Sequence, residues 1–291
     1  MKRFKILILL VISLFIFAGC NKDRTEALES VKISNIATSK DRDIVKLYLK
    51  DAGISEEIIE EFLKNVFDYN IFVNHKLPFA DGFTEVKDFK VDYNDTVDEF
   101  YKKENRIGSN CRINTYLLDR ENIKINRKLE DNSSILAFDK ASIESEFSDD
   151  FDETKKSEFQ TLFAPVPAAE SANKDDQIKK IEETFKERGI SFADSKARMI
   201  NVWFHDNNDI DGNILFIGHT GILVPYQNKL MFIEKLSFNE PYQAVVVKNE
   251  RELSDYLMGK YDVEYNQNTT RPFIMDGMKL LKDFRQNPNN K

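Results

Sequence analysis

The sequence predicts a single α+β domain in which helices come first and an antiparallel sheet comes last. Before residue 190, apolar residues recur at intervals of three and four, which is typical of amphipathic helices. After Ala197, strand-like segments follow one another closely, and the polar turn 225–228 separates two of them. No internal repeat or linker divides residues 39–291, so we expect one domain of about 250 residues.

The first 19 residues have the pattern of an export signal. Lys2, Arg3 and Lys5 precede an apolar run, residues 6–18, that is interrupted only by Ser13. As a helix, this run of 13 residues rises about 20 Å, short of the roughly 30 Å of hydrocarbon in a bilayer. We therefore predict a signal peptide over residues 1–19 and not a membrane span.

The end of this segment, Phe17-Ala18-Gly19-Cys20, resembles a bacterial lipobox, with Phe17 in place of the usual leucine. The resemblance implies that Cys20 is diacylated and becomes the first residue of the mature chain. We expect a protein on the extracellular face of the cell membrane, bound to the lipid bilayer through Cys20. Residues 20–38 are polar and weakly patterned, and they should form a tether.

The composition argues against nucleic acid as a partner. The formal net charge is −8, and loss of residues 1–19, which hold three basic and no acidic side chains, makes it −11. Phosphate backbones are bound by clusters of Lys and Arg, and acids interrupt every such cluster here. We expect a monomer that needs no cofactor.

The N-terminal half predicts helical elements. Residues 41–53 and 56–69, the second opened by Ser55, should form a helical hairpin with one apolar face each. A loop over 70–94 should lead to a helix at 95–103.

Residues 121–195 are charged and poor in glycine, and we predict a helical insertion with helices near 139–147, 152–163 and 173–188. The acidic cluster at 149–153 lacks the oxygen spacing and central glycine of a calcium loop, so no metal is expected there.

Four strands are predicted in the C-terminal part, at residues 199–204, 214–224, 230–238 and 244–247. Because they are consecutive and close, they should form an antiparallel sheet. A helix opened by Asn249 and Glu252 should follow and run to Met258, and a further helix should span 275–284.

Cys111 is the one cysteine that remains if Cys20 is acylated, so no disulfide within the chain is expected. Ser109 has a side chain suited to a helix start, and the apolar residues of 113–118 follow a helical period, which places Cys111 in a first helical turn. The free N–H groups and positive dipole end there favour a thiolate. The alternative is that Cys111 is a small buried apolar residue.

Two further residues complete a candidate triad. His219 opens a strand and Glu234 lies on the next one, so a hairpin that turns near Gln227 should bring them onto neighbouring strands. Cys111 would attack a carbonyl carbon, His219 would accept the thiol proton, and Glu234 would orient the ring. Backbone N–H groups at the start of the Cys111 helix would bind the oxyanion.

Three other residues are candidates for substrate contact: Arg112, Trp203 and His205. Arg112 would bind a substrate carboxylate or brace the helix. His205 is also an alternative base. A zinc site made of His205, His219 and Asp209, for which Cys111 would also be needed as a ligand, is another alternative, but the sequence lacks the short paired-ligand spacing of zinc sites.

The segments His219-Thr220-Gly221-Ile222 and Phe232-Ile233-Glu234 resemble the papain-like cell-wall cysteine peptidases of the NlpC type. Their pattern is Cys at a helix start, His-x-Gly-Ile at a strand start, and a third polar residue after two apolar ones. The resemblance implies a papain-like fold and a hydrolase or acyltransferase acting on an amide, such as a peptidoglycan stem-peptide bond. The chain departs in having Glu as the third residue and residues 121–195 as an insertion.

Four short segments resemble a family of uncharacterised lipoproteins from Gram-positive bacteria: residues 34–35, 68–70, 110–114 and 240–243. This resemblance implies the location and supplies no activity. A non-catalytic binding lipoprotein of the cell envelope is therefore the alternative function.

Replacement of Cys20 by serine should abolish incorporation of a radioactive fatty acid and release the protein from membranes. Each buried acyl methylene contributes about 0.8 kcal/mol, so a diacyl anchor is strong. The matched control is Cys111→Ser, which should keep the label. Absence of label in the unaltered protein would contradict the lipobox interpretation.

Overall fold

The computed structural model describes residues 30–87, 91–103, 106–264, 267–287 and 289–290. The predicted signal peptide and Cys20 lie outside these residues. Helices and strands together build an α+β architecture around one large antiparallel sheet, as the sequence predicts. None of the described helices is both long and apolar enough to cross a membrane.

The helices of the described residues are α1 (Ser39–Asp51), α2 (Glu56–Phe72), α3 (Asn94–Tyr101), α4 (Cys111–Asp119), α5 (Ala137–Glu146), α6 (Glu153–Phe163), α7 (Lys174–Arg188) and α8 (Glu250–Tyr261). The strands are β1 (Val31–Ser34), β2 (Thr84–Val86), β3 (Ile123–Ile125), β4 (Val166–Pro167), β5 (Ile190–Phe192), β6 (Arg198–Asn208), β7 (Gly212–Tyr226), β8 (Lys229–Lys235), β9 (Tyr242–Val247), β10 (Phe273–Asp276) and β11 (Lys279–Leu280).

Within the described part of the chain, nine strands form the main sheet. Its order is β11-β10-β6-β7-β8-β9-β1-β2, and β4 pairs with β7. The four predicted strands are the consecutive strands β6 to β9, and the turn between β7 and β8 is confirmed. Strands β3 and β5 pair separately at the two ends of the segment predicted as an insertion.

The predicted helices of the N-terminal half and of residues 121–195 are confirmed as α1 to α7. Thr38 caps α1, because its hydroxyl accepts a hydrogen bond from the backbone N–H of Asp41. Ser55 precedes α2 as expected, although its side chain makes no capping bond. The Asn249 cap of α8 accepts from the backbone N–H of Glu252 at 3.0 Å.

Two predictions on the N- and C-terminal segments were wrong. Residues 31–34, assigned to the tether, form strand β1, which pairs with β9 on one side and β2 on the other. The tail predicted as a helix at 275–284 contains the end of β10, a turn at Gly277, and β11. Strand β1 pairs with β9 and β10 pairs with β6, partners distant in sequence that local periodicity does not report, while β11 pairs with β10 across the turn at Gly277.

The sheet is buried on both faces. One face packs against helices α1, α2, α4, α6 and α7 in the larger core cluster, and the other packs against α8 in a smaller one. Ile222 and Val224 of β7 face the larger cluster, while Leu223 faces the smaller one. This alternation is the period of two that a strand between two layers requires.

Strands β7 and β8 separate where the candidate residues lie. They pair from Tyr226 with Lys229 as far as Gly221 with Glu234, and beyond this point β8 pairs with β9 alone. A register shift on β7, which leaves Gly218 without a partner on β6, precedes His219. Helix α4 contacts both strands. We call the point of separation, at residues 219–221 and 234–236, the strand fork.

Replacement of Gly221 by alanine should reduce the free energy of unfolding by about 1–3 kcal/mol. An added Cβ would lie 2.5 Å from Phe232 Cζ and 2.6 Å from the carbonyl oxygen of Ile233, and the latter is backbone. Urea denaturation measures the loss. The control is Gly212→Ala, where nothing lies within 4 Å and the φ of +79° costs about 1 kcal/mol. Equal losses would contradict the close packing at the fork.

Candidate active site

The helix start that carries Cys111 is capped by Asn110 and not, as expected, by Ser109. The Asn110 Oδ1 accepts a hydrogen bond from the backbone N–H of Ile113 at 3.0 Å. Ser109 is used differently, since its Oγ accepts from the side-chain amide of Asn114 at 2.8 Å. Asparagine and serine cap helices about equally well, so the sequence alone did not show which of the adjacent residues Ser109 and Asn110 is the cap. Cys111 is the first residue of α4, as predicted.

Helix α5 positions the segment that leads to Cys111. The Glu146 carboxylate accepts hydrogen bonds from the backbone N–H groups of Ile107 and Gly108, the latter at 2.8 Å. The Ser142 hydroxyl donates to the carbonyl oxygen of Gly108 at 2.5 Å. Gly108 has a φ of +81°, a conformation that favours glycine. The region predicted as an insertion therefore supports the nucleophile directly.

Arg112 is held inside the protein. Its guanidinium donates to both carboxylate oxygens of Asp139, at 2.9 and 2.6 Å, and to the carbonyl oxygen of Ile217 at 3.0 Å. Asp139 is completely buried and also accepts from the Asn110 amide at 2.7 Å. Of the two roles considered for Arg112, this geometry is that of a brace for the helix start, because its donors are used within the protein.

His219 and Glu234 meet at the strand fork. The Nε2 atom of His219 hydrogen-bonds an Oε atom of Glu234. The two side chains lie on the same face of the sheet. Glu234 is opposite Gly221, two residues after His219, so the His219–Glu234 contact is diagonal and within reach of long side chains. The pairing of neighbouring strands thus brings together the imidazole and carboxylate that the sequence singled out.

A polar network that the sequence did not reveal surrounds Glu234. The Gln243 amide and the Tyr256 hydroxyl each donate to its Oε1 at 2.6 Å. The Tyr93 hydroxyl donates in turn to the side-chain oxygen Oε1 of Gln243 at 2.8 Å. The available signal was Gln243 itself, a polar residue within the otherwise apolar strand β9. Together these donors satisfy a buried carboxylate and limit its rotation.

The thiol of Cys111 lies beside the His219 ring. Only 4 % of Cys111 and 1 % of His219 is exposed. Burial by itself raises the pKa of the thiol, but the positive charge of His219, its hydrogen bond to sulfur and the Arg112 guanidinium bring that pKa below its ordinary value. Because Glu234 occupies Nε2, the ring nitrogen that remains for the thiol is Nδ1.

The charges of His219 and Glu234 stabilise each other. Burial by itself lowers the pKa of His219, but the neighbouring Cys111 and Glu234 raise it to about 9. Burial likewise raises the pKa of Glu234, while the charges of Lys260 and His219 and the Tyr256 hydrogen bond lower it to about 2. The three pKa shifts are therefore in the directions that favour the charged forms, a thiolate, an imidazolium and a carboxylate in contact.

The first turn of α4 also supplies donors for an anion. Among the described residues, no acceptor is hydrogen-bonded to the backbone N–H of Cys111 or Arg112, whereas Ile113 donates to the Asn110 cap. Unpaired N–H groups at a helix start carry partial positive charge. They are thus the candidate oxyanion donors that the sequence predicts next to Cys111.

A buried lysine holds together the loop after β8, which packs against the segment before α4. The Lys235 ammonium donates to the carbonyl oxygens of Ser237, Phe238 and Glu240. Burial lowers the pKa of Lys235 to about 7, while the three carbonyl oxygens provide one acceptor for each N–H of the charged form. A Cβ on Gly108 would lie 2.5 Å from the Phe238 carbonyl oxygen, so the loop and the helix start are closely packed.

Two predicted site residues lie away from the thiol. Trp203 is 1 % exposed and packs against Phe185 in the core, so its assignment as a substrate contact was wrong. His205 hydrogen-bonds Thr270 and Asn213 through its two ring nitrogens. The histidine that acts on the Cys111 thiol is His219 and not His205. In the described part of the chain, no cluster of three or more His, Cys, Asp or Glu side chains is arranged to hold a metal ion.

The fold and the site define an α+β protein with a buried Cys-His-Glu cluster where two sheet strands separate. Residues 32–281 match the family described as "Domain of unknown function (DUF4300)", and the chain belongs to that family. The predicted resemblance to a family without known function is thereby confirmed. No curated protein and no solved structure matches the chain.

Cys111 should react with iodoacetamide at pH values below about 8.5, the pKa that is typical of a free cysteine thiol. His219→Ala should move this reactivity to higher pH by about one unit or more. The variant loses the charge and the hydrogen bond of His219, which lower the thiol pKa, and burial, which raises it, remains the largest effect. The measurement is the alkylation rate between pH 5 and 10, followed by mass spectrometry at Cys111.

The matched control for this shift is His205→Ala, which removes a histidine bonded to Thr270 and Asn213 and should leave the profile unchanged. Labelling of Cys111 only after unfolding would contradict thiol activation and favour a purely structural cysteine.

Proposed function

We propose that this protein is a cysteine hydrolase or acyltransferase acting on an amide bond. The observation that carries the proposal is the placement of His219 between the Cys111 thiol and the Glu234 carboxylate, with a lowered thiol pKa. A nucleophile, a base in contact with it and a group that orients the base are the elements that thiol-based acyl transfer requires.

In the proposed reaction the Cys111 thiolate attacks the carbonyl carbon of the amide. The negative charge that develops on the carbonyl oxygen is bound by the N–H groups of Cys111 and Arg112. The C–N bond then breaks, the imidazolium of His219 gives its proton to the leaving amine, and a thioester remains on Cys111. Water, or an acceptor amine in an acyltransferase, loses a proton to His219 and releases the acyl group.

The environment of Glu234 suits this cycle. Its hydrogen bonds to Gln243 and Tyr256 keep one oxygen in place while the other bonds His219. A carboxylate that stays ionised fixes the ring orientation and stabilises the imidazolium without taking the proton itself. Glutamate performs this role here, where the resembled peptidases use His, Asn or Gln.

A papain-like architecture is part of the proposal. It is supported by α4, which starts at Cys111 and packs on an antiparallel sheet, and by the adjacent strands that carry His219 and Glu234. The peptidoglycan stem peptide is the proposed substrate, and the lipidated Cys20 the proposed attachment to the extracellular face of the membrane. These two points rest on the sequence resemblances.

A second candidate function is a non-catalytic binding lipoprotein. The observation that favours it is the burial of the cluster, since Cys111, His219 and Glu234 are 4 %, 1 % and 2 % exposed. A substrate can reach the thiol only if neighbouring side chains move, whereas a structural polar cluster needs no access. Turnover that depends on Cys111 separates the two functions.

Glu234→Gln should reduce turnover of wall fragments about a hundredfold or more and leave the protein folded. Glutamine keeps the shape and an acceptor for Gln243 and Tyr256 but loses the charge that stabilises the imidazolium. The measurement is incubation with muropeptides and mass spectrometry of the products, with thermal denaturation to verify folding. Cys111→Ala should abolish the same products.

The matched control is Glu240→Gln, a half-buried carboxylate in the nearby loop that makes no contact with His219 among the described residues. It should retain turnover. If the unaltered protein gives no Cys111-dependent product from peptide, amide or ester substrates, the binding lipoprotein is the better description.

A further inference from the structure

A pocket of about 340 Å³ opens at the end of helix α4 that is opposite Cys111. It lies where the small sheet of β3 and β5 meets the β10–β11 end of the main sheet, and the start of β6 also lines it. Asp119 ends α4 eight residues after Cys111, which corresponds to a rise of about 12 Å along the helix. We call this cavity the Asp119 pocket, and it is separate from the candidate triad.

The carboxylate of Asp119 is buried without a cation. Only 2 % of the residue is exposed. Its Oδ1 accepts a hydrogen bond from the Asn122 amide at 2.8 Å, and among the described residues its other oxygen has neither a hydrogen bond nor an ion pair. The adjacent cation, Arg120, donates to the carbonyl oxygen of Leu117 and to the Glu61 carboxylate instead. Burial raises the pKa of Asp119 to about 7.

The position of this carboxylate is unfavourable in two respects. A buried charge without a partner costs free energy. Asp119 is also the last residue of α4, and the C-terminal end of a helix carries partial negative charge, which repels a carboxylate. A residue that breaks local rules in this way is typical of a functional site. A cation in the pocket would relieve both unfavourable effects at once.

The groups beside Asp119 suit an ammonium ion, which has three N–H donors. The pocket offers three oxygen acceptors: the second oxygen of Asp119, the Ser191 hydroxyl, and the side-chain oxygen of Asn122, whose N–H group already bonds Asp119. Phe192 and Met278 add apolar surface, and the face of an aromatic ring also attracts a cation. The lining therefore fits an ammonium group on a short apolar stem.

Other charged ligands fit this pocket less well. Among the described residues, no three His, Cys, Asp or Glu side chains are grouped to hold a metal ion. The guanidinium in the lining, that of Arg198, already pairs with Asp276 and Glu250 at 2.9 and 3.0 Å and is not free for an anion. The other charged side chains of the lining, Asp194 and Lys279, are exposed. The buried charge that lacks a partner is therefore the one at the end of α4.

We infer that the Asp119 pocket binds a small primary amine, whose ammonium group pairs with the Asp119 carboxylate. The volume of about 340 Å³ lies in the range of small-molecule sites. The amine is a ligand in addition to the substrate of the proposed reaction, and its binding does not depend on that reaction.

The test is isothermal titration of the full chain in detergent with n-butylammonium chloride and with n-butanol, an uncharged match of the same shape. We expect the ammonium to bind at least about tenfold more tightly than the alcohol, because it pairs with a carboxylate. Its binding should also be about tenfold tighter at pH 8 than at pH 6. Asp119 ionises across this range, whereas an alkylammonium, with a pKa near the 10.4 or so of lysine, stays charged.

Asp119→Asn keeps the shape and an acceptor for Asn122 but loses the charge, so it should abolish both the preference for the ammonium and its pH dependence. It should also raise the melting temperature at pH 8. A carboxyl group whose pKa is raised on folding destabilises the protein as the pH rises through about 7, and asparagine does not ionise. A lower melting temperature would assign the carboxylate a structural role and overturn the inference.

A second variant, Asp194→Lys, places a positive charge at the exposed rim and should weaken ammonium binding severalfold. It carries the test if Asp119→Asn does not fold. The matched control is Asp209→Lys, at an exposed position in the turn between β6 and β7 and outside the lining, which should leave binding unchanged. Equal binding of n-butylammonium and n-butanol to the unaltered protein, or a preference that persists in both pocket variants, would contradict the amine site.

Discussion

The buried contact between His219 and Glu234 is the interaction on which the arrangement of the site depends. Two ionisable groups without access to water are tolerated only when their remaining donors and acceptors are satisfied. Gln243 and Tyr256 meet this requirement for Glu234, and the Cys111 thiol meets it for the ring. Loss of one partner of such a pair costs about 3–5 kcal/mol, so the surrounding strands are constrained to preserve it.

The geometry of the sheet follows from this contact. Strands β7 and β8 pair no further than Gly221 and Glu234, and α4, which contacts both strands, brings Cys111 beside His219 at this point. Gly218, immediately before His219, has no partner on β6. A β-bulge beside a functional site commonly redirects a side chain, and here it precedes the histidine.

A second buried pair, Arg112 with Asp139, stabilises the other side of the thiol. Asp139 bonds both Arg112 and the helix cap Asn110, so α5 determines where α4 begins. The same guanidinium helps to lower the thiol pKa while its N–H groups donate to Asp139 and to the carbonyl oxygen of Ile217. The region between Cys111 and His219 is thus part of the support for the nucleophile, and its length does not separate the two residues in space.

The sequence by itself determined the local features. Helical periodicity placed Cys111 at a helix start, and the hairpin turn with its period of two placed His219 and Glu234 on adjacent strands. These features depend on near neighbours in the chain, and local propensity and turn chemistry report them.

Only the tertiary structure decided the rest. It paired Val31–Ser34 with β9, and it paired Phe273–Asp276 with β6 where a tail helix was expected. It also gave Arg112 its partner Asp139, and Glu234 its donors Gln243 and Tyr256. Trp203 became a core residue because the burial of a side chain depends on which helix covers its strand. Each of these contacts joins residues whose proximity no local pattern encodes, since the free energy that selects it comes from burial and pairing across the whole chain.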